Sequence, residues 1–288
     1  MTRLQSIAAA LVTVAAMAVS ACGAHAEPAL WKVTHGQSTA YLYGSVHLLK
    51  HDAVWDTPKV EAALSKAQEL WLEIKDVDDP AAMRPLVAQL GVDPAHPLSA
   101  QLDPPHQEKL KKALKSVGYP ETALEPMRPW LAALTLNLAP LQRGGYDPEA
   151  GVDRLLKGAA KAKGLNIEAF ETSEAQLHYL ADLPQDLQLQ MVQEALDEFD
   201  TAIDELNQLE GAWERGDDKE IDRLMRSDMP PVLYTRLIKE RNVRFAQGLI
   251  ARMQKPGVIF VAVGAGHLAG PDSVQAELAR QGYVAVRQ

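Results

Sequence analysis

Two apolar runs at opposite ends of the chain finish in the same way. Tyr41-Leu-Tyr-Gly-Ser-Val-His47 and Val261-Ala-Val-Gly-Ala-Gly-His267 both close on Gly-x-x-His, and 220 residues separate the two histidines. An aromatic or β-branched run favours an extended strand. The glycine then lets the backbone turn sharply or approach another chain closely. Each histidine falls just beyond a strand's C-terminal end, where open α/β sheets usually bind ligands. If the two strands are neighbours, the early and late parts of the chain share one sheet and the imidazoles meet.

The remaining pattern fits such a sheet. Ala29–Val33 and Ala40–Tyr43 flank Thr34-His-Gly-Gln-Ser38, a hairpin signal. Leu70–Ile74, Leu165–Phe170, Val258–Val263 and Tyr283–Val286 read as further strands. Between them the chain reads as helical. Pro58 after Thr57 opens one helix, prolines punctuate the stretch to about Lys163, and Glu149–Lys163 stops at Gly164. After Pro184, apolar residues recur at steps of three and four from Leu187 to Trp213, which predicts one long amphipathic helix. Asp217–Arg226 and Pro231–Met253 are predicted as two more. The expected fold class is α/β, or mixed α+β: one sheet assembled from distant segments, with a large helical insertion covering it. The expected domains are a leader at 1–26 and a single domain at 27–288, with its helical region at about 184–253.

The N-terminus carries Arg3, an apolar run Ile7–Val19, and small residues after it, the arrangement of a secretory signal peptide. Ala24-His-Ala26 offers a cleavage site. Val19-Ser-Ala-Cys22 resembles a lipobox, with Cys22 as the acylated residue. The expected location is therefore outside the cytoplasm, as a periplasmic protein or an envelope-anchored lipoprotein, with membrane contact only through Cys22. Cys22 is the single cysteine, so the rest of the chain has no disulfide, thiolate nucleophile or zinc thiolate to offer. The formal charge is -9, without a basic stripe, which argues against nucleic acid as a partner.

The chemistry must then come from His, Asp and Glu. Glu73 ends one strand candidate and Glu171 follows another. Two imidazoles and one or two carboxylates suit Zn²⁺, Mn²⁺ or Co²⁺. Such an ion lowers the pKa of a bound water toward about 7, and a carboxylate outside its ligand set can act as general base. Gly264-Ala-Gly-His-Leu-Ala-Gly270 also resembles a dinucleotide-binding turn, but the closing strand lacks the acid that would hold a ribose. Ser45 is a weak candidate nucleophile because its surroundings are not a G-x-S-x-G elbow. His51, His96, His106 and His178 sit in polar turn or helix contexts and are expected at the surface.

In order along the chain, Leu30-Trp-Lys-Val33 with Tyr41–Leu49, Glu73 in Leu-Trp-Leu-Glu-Ile, Gly151-Val-Asp153, Glu171–Gln176, Arg241-Asn242 and Val263–Gly270 resemble the motif blocks of the TraB/GumN family. That family groups with the Tiki-type metalloproteases. The resemblance implies a metal-dependent hydrolase, plausibly a peptidase acting on a peptide or protein. His47 and His267 would be metal ligands, and Glu73 a ligand or the catalytic carboxylate. Glu171 would fill the remaining acidic role. Arg241 and Asn242 would line the site, where an arginine can hold a substrate carboxylate or a developing oxyanion. Asp153 would be structural, near the start of its helix. The alternative on the same fold is a non-catalytic envelope module that binds metal, haem or peptide.

Overall fold

The structure is a computed structural model that describes residues 27–76, 79–227 and 229–288. The expected leader, with Cys22, lies outside the described residues. Strands β1 (Leu30–His35) and β2 (Ser38–Ser45) form the expected hairpin, with Gly36 at φ 54° in its turn. They are followed by β3 (Glu69–Leu72), β4 (Asn166–Ala169), β5 (Gly257–Gly264) and β6 (Ala285–Arg287). The sheet order is β4-β3-β5-β2-β1-β6. β2, β5, β3 and β4 run parallel, while β1 is antiparallel to both of its neighbours. The strand containing the first histidine motif therefore pairs directly with the strand containing the second. Their register sets Gly44 against Val263 and Ser45 against Gly264.

The helices are α1 (Pro58–Lys66), α2 (Pro80–Gly91), α3 (Pro104–Ser116), α4 (Pro129–Leu138), α5 (Val152–Lys163) and α6 (Ser173–Ala181). They continue with α7 (Gln185–Asp197), α8 (Ala202–Glu214), α9 (Asp218–Ser227), α10 (Pro231–Tyr234), α11 (Glu240–Met253) and α12 (Val274–Arg280). Among the described residues no helix is long and apolar enough to cross a membrane.

Strand side chains alternate between two faces, as the period of two requires. Tyr41, Tyr43, Leu70, Leu72, Phe260 and Ala262 pack against α1, α5, α8 and α9. Val33, Ala40, Leu42, Ile259, Val261 and Val263 pack against α11 and α12. A third core, beside the sheet, joins α3, α4 and α7. The helical stretch at 184–253 thus covers the sheet on both faces. The periodic run after Pro184 divides into α7 and α8, because residues 198–201 leave the helix between them. Pro231–Met253 is helical throughout but contains a π-helical stretch, Thr235–Lys239, just before Arg241.

Trp213 of α8 is buried and donates its indole N–H to the Gly44 carbonyl at 2.7 Å. This bond fixes the end of β2, where the first histidine motif begins to turn. Trp213→Phe should cost about 1–3 kcal/mol, the penalty for leaving a buried carbonyl unpaired. Urea denaturation of the two proteins would measure it.

Candidate functional site

The parallel strands β2, β5, β3 and β4 deliver His47, His267, Glu73 and Glu171 to one edge of the sheet. The Glu171 N–H bonds the Glu73 carbonyl at 2.9 Å, so the two acids leave adjacent strands side by side.

The two motif glycines do different work. A Cβ on Gly44 would sit 3.0 Å from the Ala265 backbone, so this glycine permits the close approach of the second motif. A Cβ on Gly264 would lie 3.3 Å from Glu73 Oε1, 3.6 Å from His267 Cδ2 and 3.9 Å from His47 Nε2. That empty position is the point the three side chains share.

His47 and His267 occupy opposite environments. His267 is buried and packs edge-on against Phe245. Asn242 donates Nδ2 to the Asp272 carbonyl at 2.7 Å, which leaves its Oδ1 to accept from His267 Nδ1 at 2.6 Å. The proton of His267 is thereby on Nδ1, and Nε2 offers a lone pair. Burial, with Arg241 and His47 nearby, pushes the imidazole down to about 4, so it is neutral at physiological pH. His47 has 59% of its side chain exposed. Its Nδ1 donates to Asp153 Oδ2 at 2.7 Å, and the charge of Asp153 raises its pKa to about 9.

Asp153 is therefore more than a helix-start residue. Ser45 Oγ donates to Asp153 Oδ1 at 2.8 Å, so both carboxylate oxygens are engaged. Gly151 makes this contact possible: a Cβ there would fall 2.4 Å from the His47 carbonyl oxygen. The sequence carries a sign that Asp153 needs a partner, without saying which one. Asp153 lies inside the buried stripe Val152, Leu156, Ala160 of α5, and a buried acid requires a partner.

Glu73 is buried and nearly saturated. Oε1 accepts from the Gly264 N–H at 2.7 Å; Oε2 accepts from Gln176 at 3.0 Å and from Arg241 Nη2 at 2.5 Å. Burial opposes its ionisation, but the charges of Arg241 and His47 and the Gly264 N–H outweigh burial and hold it below the usual carboxylate range.

Arg241 is the hub. It forks onto Glu171 through Nε and Nη2, at 3.1 and 2.9 Å, and Nη1 donates to the Leu237 carbonyl and to His267 Nε2 at 3.1 and 3.2 Å. Leu237 lies in the π-helical stretch, whose extra residue per turn changes which side chains face the sheet. Arg241 and Asn242, consecutive in sequence, are both buried on the site side. Glu171 also accepts from Tyr179 at 2.8 Å, and Arg244 approaches it at 3.8 Å.

The site opens into a cavity of about 400 Å³ lined by His47, Glu73, Asp153 and Gln176 together with apolar residues. Arg241, Asn242 and His267 are buried, as is the side chain of Glu171, and none of the four is among the lining residues. Of the histidines expected at the surface, His51 pairs with Asp147, His96 with Asp93 and His178 with Asp182. His106 bonds Asp103 and Asp197 and has only 16% of its side chain exposed, so it is less superficial than its sequence context suggests.

The chain matches the model of the TraB/PrgY/gumN family over residues 29–287, and it belongs to that family. Searches among curated proteins and among solved structures find no match.

Nuclear magnetic resonance titration should find His47 near 9, and nearer 6.5 in Asp153→Asn. The sign follows from the raised value. The His47–Asp153 contribution to stability is complete below about pH 6.5 and is lost as pH rises toward 9. Denaturation midpoints across that window should fall in the wild type and stay flatter in Asp153→Asn.

Proposed function

We propose that this protein is an exported metal-dependent hydrolase acting on peptide bonds, with His47, His267 and Glu73 as the donors to one divalent ion. The supporting observation is the convergence of these three side chains on the vacant Cβ position of Gly264.

The donors fit such an ion in type and direction. Both imidazoles spend Nδ1 on an acceptor, the arrangement that orients ligating histidines. His267 Nε2 and Glu73 Oε1 stand 3.5 Å apart, the separation of two ligands with bonds of about 2.1 Å to one ion. An ion bound there would replace the Arg241 hydrogen bond to His267 Nε2. Charge agrees: Asp153, Glu73 and Glu171 face Arg241 and Arg244, leaving one negative charge for a cation or the His47 proton to balance. His₂Glu suits Zn²⁺, Mn²⁺ or Co²⁺.

The ion, when bound, supplies Lewis-acid polarisation of water and of the scissile carbonyl. The chain's own residues prepare the site for it. Asp153 and Asn242 hold the Nδ1 protons so that both Nε2 atoms are free. Arg241 and the Gly264 N–H keep Glu73 ionised and oriented. Glu171, already engaged by Arg241 and Tyr179, positions the guanidinium and does not take a proton from water. Gln176 fixes Glu73 from the cavity side. The substrate enters along the apolar cavity.

A second reading keeps the site and removes turnover: an envelope module that binds metal, haem or peptide. Its supporting observation is that Glu73 and Glu171 are both engaged by Arg241, which leaves neither carboxylate uncommitted to take a proton from water. Among the described residues no group of three or more His, Cys, Asp or Glu side chains already stands ready around a metal-sized point, so in either reading an ion would have to draw its donors together. Metal analysis beside a peptide-cleavage screen separates the two. The hydrolase reading expects about one ion per chain and cleavage, and loss of both in His47→Ala and His267→Ala with an unchanged circular dichroism spectrum. Uptake without cleavage supports the binding module. Retained metal in both variants overturns the shared site.

Gly264→Ala gives a sharper test. Its φ of -48° suits alanine, so the fold should persist while the methyl group occupies the shared point. Metal affinity and cleavage should each fall, by about 10–100-fold or more, the effect of disturbing a ligand's support. Because His47 holds a proton up to about pH 9, metal binding at pH 7 should release one proton, and affinity should rise up to tenfold per pH unit toward 9. Calorimetry in buffers of different ionisation enthalpy would measure that release.

A further inference from the structure

We infer that the cavity beside His47 and Glu73 is a specificity pocket for an apolar substrate side chain flanking the cleaved bond, with Leu134 and Leu138 of α4 as its determinants. This rests on the hydrolase reading for the cleavage and on the cavity alone for the preference.

Leu134 and Leu138 are 37% and 39% exposed, unusual for leucines on a helix whose Trp130, Ala132, Ala133 and Leu136 are buried. They stand four residues apart and so share a face. That face lines the same cavity as His47 and Glu73. Leu48 and Ile74, the residues immediately after His47 and Glu73, also line it. The apolar wall therefore begins one residue from two of the proposed ligands, so a group held against it lies beside the reacting bond.

Charge points the same way. Arg154 at the rim is paired with Glu149 at 2.7 Å, and Asp153 and Glu73 are engaged by His47, Ser45, Arg241, Gln176 and Gly264. Beyond His47 and Arg154, both already paired with a carboxylate, a charged substrate side chain would meet leucine and isoleucine surface and would lose its water, which is costly. An apolar one would exchange water for leucine and isoleucine surface.

The test has two arms. In the first, a peptide library is cleaved by the metal-loaded wild type, Leu134→Ser and Leu134→Lys. The wild type should favour Leu, Met or Phe over Asp at one position next to the cleaved bond by about 10–200-fold in kcat/KM, the discrimination an apolar pocket provides. Leu134→Ser should flatten that preference, and Leu134→Lys should turn it toward Asp. In the second arm, methyl-labelled protein is titrated with N-acetyl-leucine amide and N-acetyl-aspartate amide. The Leu134 and Leu138 methyl signals should shift with the first and not with the second. Cleavage without a flanking preference overturns the pocket and leaves the hydrolase reading standing. Selective methyl shifts without cleavage of any peptide overturn the hydrolase reading and leave an apolar binding pocket. Equal or absent shifts with both probes overturn the pocket independently of catalysis. Thermal melts of both Leu134 variants should match the wild type, because the position is part-exposed.

Discussion

The parallel pairing of β2 with β5 is the constraint on which the site depends. It joins a strand near residue 40 to one near residue 260, in a register that sets Ser45 opposite Gly264. A slip of one residue would turn every side chain of one strand to the other face. It would also carry one histidine away from the other. The register is held on both faces at once, by Tyr41, Tyr43, Phe260 and Ala262 against one helical layer and by Leu42, Ile259, Val261 and Val263 against the other. The geometry of the site is thus fixed by the burial of residues that take no part in its chemistry.

Around that pairing, each polar group is held by a neighbour that is itself held. His267 rests on Asn242, which rests on the Asp272 carbonyl. His47 rests on Asp153, which is tied to Ser45. Glu73 is held by Arg241, which is gripped by Glu171, which is bonded by Tyr179. A buried polar network of this kind is tolerable only when its members are satisfied. The two imidazoles emerge with contrasting protonation. One is buried and kept neutral, the other is exposed on one side and kept charged by a carboxylate.

Much of this was legible in the sequence. All six strands were readable from short apolar runs bounded by turn residues. The pairing of the two histidine motifs was readable because both finish on the same arrangement. Three features were hidden, each for a physical reason. The break between α7 and α8 depends on tertiary packing around residues 198–201, where the apolar periodicity continues unbroken through Phe199. The π-helical stretch before Arg241 leaves no mark on hydrophobic spacing, yet it resets the phase of the helix that carries Arg241 and Asn242 to the site. The role of Asp153 depends on a contact across more than a hundred residues, and a helix-start acid has a sufficient local explanation in the helix dipole. Glu171 was legible as an acid that follows a strand to the site, while the Arg241 and Tyr179 that bond it there come from distant or helical positions the local pattern does not connect to it.

The glycines show how one repeated motif came to serve two purposes. At Gly44 the missing side chain lets two backbones touch; at Gly264 it leaves a space bounded by two imidazoles and a carboxylate. Only the second space has chemistry around it. Its walls are the ring edge of a neutral imidazole, a carboxylate kept ionised against burial, and a histidine nitrogen whose partner nitrogen is committed to Asp153. A point so bounded attracts positive charge, and His47 meets that demand with its own proton. On the proposal that a divalent ion binds here, that proton would have to leave first, so the residue that balances the site's charge would also set the pH at which the ion binds.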